Sequence, residues 1–276
     1  MTRGFVLCAD DFAMTAGVSR SILELLARGK LSATGAMTSR PHWRGLAGEL
    51  GTFSGKADLG LHFNLTCAAP LSAMSALAPG GELPKLGELA RLALGSAAAR
   101  REIAAELARQ LDAFEDGLGR APDFVDGHQH VHVLPGIRRA VLEAVARRYP
   151  PGSVYLRDPA DSIAAIRARG VAVGKALVIA GLAAGLRPAA ARRGIPLNRG
   201  FSGVSPFDPA RDFTTDLACF LERPGPAHLV MCHPGHVDAE LVALDPVVAT
   251  RPLEHAALLA FAPPPGLRLA RFSELA

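Results

Sequence analysis

Short apolar runs that end on reactive polar residues recur along the chain, and this pattern constrains the fold most strongly. Amphipathic helical patterns separate the runs, so the order of elements is strand, helix, strand, helix. This alternation predicts a parallel sheet covered by helices. The residues that follow the apolar runs are Asp10, Asp11, His62, His128 and His233.

Polar groups at the carboxyl ends of several strands are typical of a (β/α) barrel, which gathers its functional residues at one face. We therefore predict an α/β fold, a TIM-barrel-like (β/α) barrel with mostly parallel strands. An open doubly wound sheet is the alternative, although no Gly-x-Gly-x-x-Gly follows the first strand.

A single catalytic domain over residues 1–276 is expected, because no linker or internal repeat divides the chain. Residues 70–97 are rich in Pro, Gly, Ala and Leu, and they predict a loop-rich excursion. Residues 98–115 predict an amphipathic helix. Residues 160–193 predict one further helix with a basic end.

Three histidines in five residues form the densest group of potential metal ligands in the sequence. His128, His130 and His132 are spaced at i, i+2 and i+4. On a strand this spacing would point all three rings to the same face. Neutral imidazoles that share one face are typical of a site for a divalent cation. The alternative is a solvated, polar strand end.

Two adjacent carboxylates after a buried strand disfavour each other's ionisation, and a metal would relieve this for one of them. The other could then act as a base. Asp10 and Asp11 could instead cap the next helix, although Thr15 could do so equally well. His62, taken alone, is more typical of a satisfied core residue. His233, held rigidly by Pro234 and Gly235, suits a general acid for an amine leaving group.

The composition excludes some classes of function. Aromatic residues make up only 5% of the chain, which disfavours modules that stack nucleic-acid bases. The net charge of +4 comes from scattered arginines, which predicts a solvated surface. Four unpaired cysteines and the lack of a secretory signal predict a cytoplasmic protein with reduced thiols. No uninterrupted apolar run reaches the roughly 18 residues of a membrane span.

Four segments together resemble the motifs of the YdjC-like carbohydrate deacetylases, a family that includes chitooligosaccharide and hopanoid-associated enzymes. The resemblance extends from residue 4 to about residue 260. Any one motif is weak evidence, but four in the right order, each after a strand, are fairly specific. The segments are Ala9-Asp10-Asp11-Phe12, Gly60-Leu61-His62-Phe63-Asn64-Leu65-Thr66, Asp126-Gly127-His128-Gln129-His130-Val131-His132 and His233-Pro234-Gly235.

The resemblance implies a distorted (β/α) barrel with one divalent metal ion, Mg²⁺ or Zn²⁺, and an N-acetylated saccharide substrate. Asp11, His62 and His128 would hold the ion. Asp10 would be the general base, and His233 the acid that protonates the amine. Further residues expected to line the site are His130, His132, Phe63, Asn64 and Arg157.

The chain departs from the family pattern at two places. Ala13 stands where the family usually has Gly after Asp-Asp-Phe, so the backbone there is expected to differ slightly. The histidine motif begins with Asp-Gly, where chitooligosaccharide enzymes tend to have Asp-Ser. The second departure leaves the identity of the sugar open.

Two other functions remain open from the sequence: a metal-dependent phosphoesterase with the same barrel, and a non-catalytic metal-binding or sugar-binding protein. Residues 171–193 could form an amphipathic element near a membrane, although a barrel helix with a basic end is favoured. Exposed apolar residues in segment 70–97 could serve a partner such as a second copy of the chain. No nucleic-acid partner is expected.

Overall fold

The computed structural model describes residues 2–275 and contains one sheet of eight parallel strands. The order of the strands is β5-β4-β3-β2-β1-β7-β6, and β8 pairs with the first residues of β1. The strands are β1 (Arg3–Phe12), β2 (Ala33–Ala36), β3 (Asp58–Phe63), β4 (Phe124–Gly127), β5 (Tyr155–Leu156), β6 (Phe201–Ser202), β7 (His228–Cys232) and β8 (Leu267–Leu269).

Eleven α-helices of the described chain pack around this sheet. Several begin at side chains that cap free backbone N–H groups; Thr15, for example, accepts a hydrogen bond from Val18 N at the start of α1. The helices are α1 (Ala16–Ala27), α2 (Trp43–Gly51), α3 (Leu86–Gly95), α4 (Ala97–Leu118), α5 (Arg138–Arg148), α6 (Ile163–Arg169), α7 (Val173–Ala183), α8 (Leu186–Ala191), α9 (Phe213–Phe220), α10 (Ala239–Leu244) and α11 (Arg251–Ala260). Two 3-10 helices span His128–Val133 and Phe272–Glu274.

The central strands are apolar because both faces of the sheet are covered. Residues 5–9 of β1 are fully buried, and all of β3 and β4 is buried. Near-continuous apolar runs of this kind are expected where helices cover a parallel sheet. At its carboxyl edge the sheet presents the buried polar side chains of Asp10, Asp11, His62 and Asp126.

The predicted distorted barrel is confirmed: the sheet is curled and half-closed. Strands β5 and β6 form its two ends. The segment before β6 spans the gap between them, since Leu156 N donates to Pro196 O at 3.0 Å and Leu197 bridges to Leu156. Arg199 then bridges to Ala227, next to β7. The strand ends therefore still converge on one face.

Two of the predicted elements differ in the structure. The single helix expected over residues 160–193 is three helices, α6, α7 and α8, because Gly170 ends α6 in a left-handed conformation and a turn at Gly185 separates α7 from α8. Segment 70–97 is not only loop, since it contains the whole of α3. Its residues Met74 and Leu89 are buried in the core, whereas Leu94 is exposed.

The stretch Val173–Ala191, made up of α7 and α8, is long and apolar enough by composition to cross a membrane. Only 17% of its most apolar window is buried. Lys175 and Arg187 fall within the stretch, so it is not an uninterrupted apolar run. A core helix of this composition would be mostly buried, so the exposed apolar surface of α7 is unusual.

Candidate active site

The carboxyl ends of four strands bring reactive side chains to one cleft of about 510 Å³. Strand β1 supplies Asp10 and Asp11, and β3 supplies His62. His128 directly follows β4, and His233 directly follows β7. These residues were predicted from the sequence and lie together in the cleft. A larger groove of about 1050 Å³ lies at the opposite end of the strands, beside Asp58 and Asp123.

The backbone at the end of β1 is strained where the two aspartates must point in different directions. Asp11 has a φ of 71°, and the pairing of β1 with β2 is irregular between Ala9 and Phe12. Ala13 has a φ of 68°, the left-handed region that favours glycine. Ala13 therefore adopts the conformation that a glycine would take there. For a residue with a Cβ this conformation costs about 1 kcal/mol.

Asp11, His62 and His128 place three ligand atoms within 4.8 Å of one another. Asp11 Oδ1 lies 2.9 Å from Nδ1 of His128 and 3.3 Å from Nε2 of His62. The other oxygen of Asp11 accepts a hydrogen bond of 2.7 Å from Arg251. The donor set of one carboxylate and two imidazoles leaves positions for water, which is typical of a catalytic metal site. These residues therefore fit a divalent ion.

His62 is oriented by a buried carboxylate behind it. Its Nδ1 lies 2.7 Å from Asp126 Oδ1, so its Nε2 faces Asp11. Burial alone would lower the pKa of His62, but the carboxylates of Asp126 and Asp10 outweigh burial and raise it to about 10. A carboxylate behind a ligating imidazole fixes the ring and increases its basicity. Asp126 thus fixes the orientation of the His62 ring.

Asp11 remains ionised although it is almost fully buried. Burial would raise the pKa of its carboxyl, but His128 and Arg251 hold that pKa well below the usual range. The site therefore carries a fixed negative charge directed at the two imidazoles. That charge favours a cation between Asp11 and the two imidazoles.

Asp10 is held by a guanidinium instead. Arg157 donates two hydrogen bonds of 2.6 Å to the two oxygens of Asp10, and the same group lies 2.7 Å from Asp126 Oδ2. Arg157 is fully buried, beneath the cleft. A bidentate pair of this kind fixes both the position and the charge of a carboxylate. Asp10 is thus a rigid, buried carboxylate at the edge of the cleft.

His233 faces Asp10, with Nε2 4.0 Å from Asp10 Oδ2. Its backbone N–H donates to Glu254 Oε2 at 2.5 Å, and its ring packs edge-on against Phe207 with centroids 5.1 Å apart. Burial lowers the pKa of His233 to about 4. The ring is therefore neutral at pH 7 and can accept a proton before it donates one.

The three-histidine segment does not form a strand, which corrects the sequence interpretation. It is a 3-10 helix with Gln129 and His130 in left-handed conformations, at φ 53° and 59°. The rings therefore do not share one face. His128 and His130 line the cleft, whereas His132 is fully buried and its Nε2–H donates to Arg157 O at 2.8 Å.

Two more residues expected to line the site lie elsewhere. Phe63 packs in the hydrophobic core. The Asn64 side chain closes a turn, since its Oδ1 accepts from Cys67 N at 3.0 Å and its amide donates to Ser39 Oγ. Side chains alternate along β3, so Phe63 points away from the cleft. Asn64 follows the strand, and the turn that it closes holds its side chain.

A model of the YdjC-like protein family matches residues 4–262. The chain belongs to the YdjC-like family. This confirms the resemblance inferred from the four motifs.

Several curated YdjC-like relatives are deacetylases. A chitooligosaccharide deacetylase from Enterobacter sp. is 34% identical over 155 residues, which cover 54% of this chain and 58% of that relative. One from Klebsiella pneumoniae subsp. pneumoniae is 29% identical over 241 residues, which cover 86% and 84%. A carbohydrate deacetylase of Geobacillus stearothermophilus is 34% identical over 150 residues, again with 54% and 58% coverage. The chain thus spans under two thirds of the first and third relatives.

The fold is shared with a solved structure that is described as a cellobiose-phosphate cleavage protein from Enterococcus faecalis. The TM-score is 0.71 at 20% sequence identity, and the comparison covers 100% of both chains. At this identity the likeness concerns the fold alone.

Sequence reasoning missed several residues that shape this YdjC-like site. Asp126 was read only as part of the histidine motif, although its place at the end of β4 signals a position behind His62. Arg251 and Glu254 lie on α11, more than 200 residues from Asp11. The short Arg-x-x-Glu pattern on that helix gives no signal of the contacts that the fold creates.

The protonation of Glu254 should control the stability of this YdjC-like protein above pH 5. Burial raises the pKa of Glu254 from 4.5 to about 7. The folded state therefore keeps a proton that the unfolded state releases, so stability is lost as pH rises from about 4.5 through 7. Glu254→Gln should remove this loss, which amounts to about 3 kcal/mol. Thermal unfolding at pH 5 and pH 8 measures it, and parallel pH profiles of variant and parent would contradict the prediction.

Proposed function

We propose that this chain is a metal-dependent carbohydrate N-deacetylase that hydrolyses the acetamide of an N-acetylated sugar. The pair of Asp10 and His233, which face each other beside the ligand trio, carries the proposal. Amide hydrolysis needs a base for water and an acid for the amine, and the cleft offers both within 4.0 Å. The names of the curated YdjC-like relatives support the same reaction.

The metal in this proposal is held by Asp11, His62 and His128. When bound, a divalent ion there supplies Lewis-acid chemistry: it lowers the pKa of water and polarises a carbonyl group. Mg²⁺ and Zn²⁺ both remain candidates, since carboxylate oxygen suits the first and imidazole the second. Arg251, which donates to the outer oxygen of Asp11, keeps the inner oxygen directed at the two histidines.

Asp10 takes the proton of the attacking water, because its carboxylate is fixed by Arg157 and lies at the cleft surface. His233 delivers a proton to the departing amine nitrogen. Since the pKa of His233 is about 4, its ring is neutral in the resting protein. The proton taken by Asp10 is therefore the natural source for His233, across the 4.0 Å that separate the two groups.

A phosphoesterase with several metals is less well supported. A second group of potential ligands, Cys8, Asp10 and Asp126, lies under the cleft. The guanidinium of Arg157 already occupies the space between them, at 3.0 Å from Cys8 Sγ and 2.6 Å from Asp10. That positive charge disfavours a second cation. The proposal therefore has one metal in the cleft.

Release of acetate from N-acetylated saccharides tests the proposed reaction. Purified protein, with its metal content measured by elemental analysis, should release acetate from chitooligosaccharides or N-acetylglucosamine glycosides and no phosphate from phosphate esters. Removal of the metal with a chelator should abolish acetate release, and one added equivalent should restore it. Phosphate release without acetate release would favour the phosphoesterase. Neither product, with a metal bound, would favour a non-catalytic binding protein.

We further propose that the sugar carries an apolar group. One wall of the cleft is formed by Val178, Ile179 and Leu182 of α7, and Val178 and Leu182 are 65% and 41% exposed. Leu86 adds another exposed apolar side chain. A neutral sugar alone would not explain why this wall of the cleft is apolar and exposed. An acyl or alkyl chain next to the acetamide would cover it.

Paired glycosides test this apolar contact. Octyl N-acetylglucosaminide should be a better substrate than the methyl glycoside, and Leu182→Ser should reduce the difference while leaving the methyl glycoside unaffected. Co-sedimentation with anionic liposomes at low salt tests direct membrane contact by α7. Equal kcat/KM for both glycosides would remove the apolar group from the proposal without affecting deacetylation itself.

A further inference from the structure

A second cluster of metal-binding side chains lies between α1 and α11, outside the catalytic cleft. Glu24 of α1 faces His236 of the loop after β7 and His255 of α11. Glu24 Oε2 lies 3.1 Å from Nε2 of His236 and 3.6 Å from Nε2 of His255. The centroids of the two rings are 4.5 Å apart. One carboxylate oxygen and two ring nitrogens thus lie within 4.8 Å of one another.

A buried hydroxyl group orients one of these rings. Nδ1 of His255 lies 2.7 Å from Ser21 Oγ, and Ser21 is fully buried. When Nδ1–H donates to this oxygen, Nε2 carries the lone pair and faces Glu24. A hydrogen bond from the outer ring nitrogen is the arrangement that fixes the tautomer of metal-ligating histidines.

Within the cluster, Nε2 of His255 makes no hydrogen bond. The 3.6 Å between its Nε2 and Glu24 is too long for a hydrogen bond. The side chain of His255 is only 10% exposed, so solvent reaches the ring poorly. Burial lowers the pKa of His255, and the nearby His236 lowers it further. The ring is therefore neutral at pH 7 and able to bind a cation.

We propose that Glu24, His236 and His255 bind a divalent transition-metal ion such as Zn²⁺. One carboxylate oxygen and two imidazole nitrogens form a donor set that suits this class of ion. The exposed side of the cluster, where Glu24 and His236 are 44% and 36% exposed, leaves a coordination position for water.

The ion would add a further link between three parts of the chain that already contact one another through backbone and side-chain hydrogen bonds. His236 N donates to Gly17 O of α1 at 3.3 Å, and Gly235 N donates to Arg251 O of α11 at 3.2 Å. The loop between β7 and α10, which also carries His233, is thereby tied to α1 and α11. Binding to the folded state alone should raise the unfolding temperature in proportion to the logarithm of the metal concentration.

Calorimetric titration of the full chain with Zn²⁺, after removal of bound metal by a chelator, tests the second site. His255→Gln should remove one equivalent of Zn²⁺ binding from the parent protein. The same substitution should also remove one equivalent when it is added to the His128→Gln variant, in which the catalytic trio is disabled. Glu24→Gln should weaken the same equivalent at least roughly tenfold.

The Glu24→Gln variant should fold normally, because the side chain of Glu24 is exposed and can be replaced without disturbing the core. The metal-free Glu24→Gln protein should unfold at the temperature of the metal-free parent. Zn²⁺ should then raise its unfolding temperature less than that of the parent. Unchanged stoichiometry and affinity in both Glu24→Gln and His255→Gln would overturn the proposal, whatever the catalytic site binds.

Discussion

Replacing Asp10 by Asn should lower kcat for acetate release by about a thousandfold while the metal stays bound. General-base catalysis contributes roughly 10²–10⁴-fold, so a loss near the middle of that range corresponds to about 4 kcal/mol in the barrier. Asparagine keeps the size of the side chain but cannot take a proton. The three proposed metal ligands are untouched, and Arg157 keeps its 2.7 Å contact with Asp126.

Steady-state kinetics with acetate detection, together with elemental analysis of the same preparation, checks this prediction. Asp123→Asn is the matched control, because Asp123 immediately precedes β4 at the opposite end of the sheet and pairs with Arg120. This control loses the same charge and should keep nearly full activity. A thousandfold loss accompanied by loss of metal would instead assign Asp10 a role in holding the ion.

The elements that positioned this site could be predicted because their signals are local. The apolar run of β1 ends on Asp10 and Asp11, and a buried parallel strand requires that kind of run. The strands before His62 and His233 follow the same rule. Since parallel strands share one carboxyl edge, the convergence of these residues follows from the order of the elements alone.

The orientation of individual side chains could not be predicted, because it depends on backbone torsions and distant contacts. The sequence suggests a strand for the three histidines, but the segment forms 3-10 turns that left-handed torsions at Gln129 and His130 kink. These conformations are costly for residues other than glycine, so they persist only where the surrounding structure holds them. As a consequence, the ring of His132 donates a hydrogen bond to the carbonyl oxygen of Arg157.

The network of charged side chains behind the site could not be predicted from the sequence either. Arg157 was expected at the site lining, but it lies below the cleft and bridges Asp10 and Asp126. Arg251 reaches Asp11 from a helix near the end of the chain. A buried ion pair of this kind is favourable only when the fold aligns both partners closely, and nothing in a single sequence specifies that alignment.

His128→Gln should lower the affinity for the catalytic metal at least roughly a hundredfold and abolish acetate release. His128 supplies one of three proposed ligands, and its Nδ1 lies 2.9 Å from Asp11 Oδ1. Loss of one imidazole leaves a carboxylate and a single ring, which is a poor set for any of the candidate ions. Its side chain is partly exposed, so the variant should remain folded.

His130→Gln is the matched control, since His130 lies two residues along the same 3-10 helix and also lines the cleft. Its ring packs edge-on against Phe201, outside the ligand trio. This variant should therefore bind the catalytic metal with the affinity of the parent. Competition with a chromophoric chelator measures both affinities. Equal weakening in the two variants would mean that the histidine segment as a whole holds the ion, and the assignment of Asp11, His62 and His128 would then be wrong.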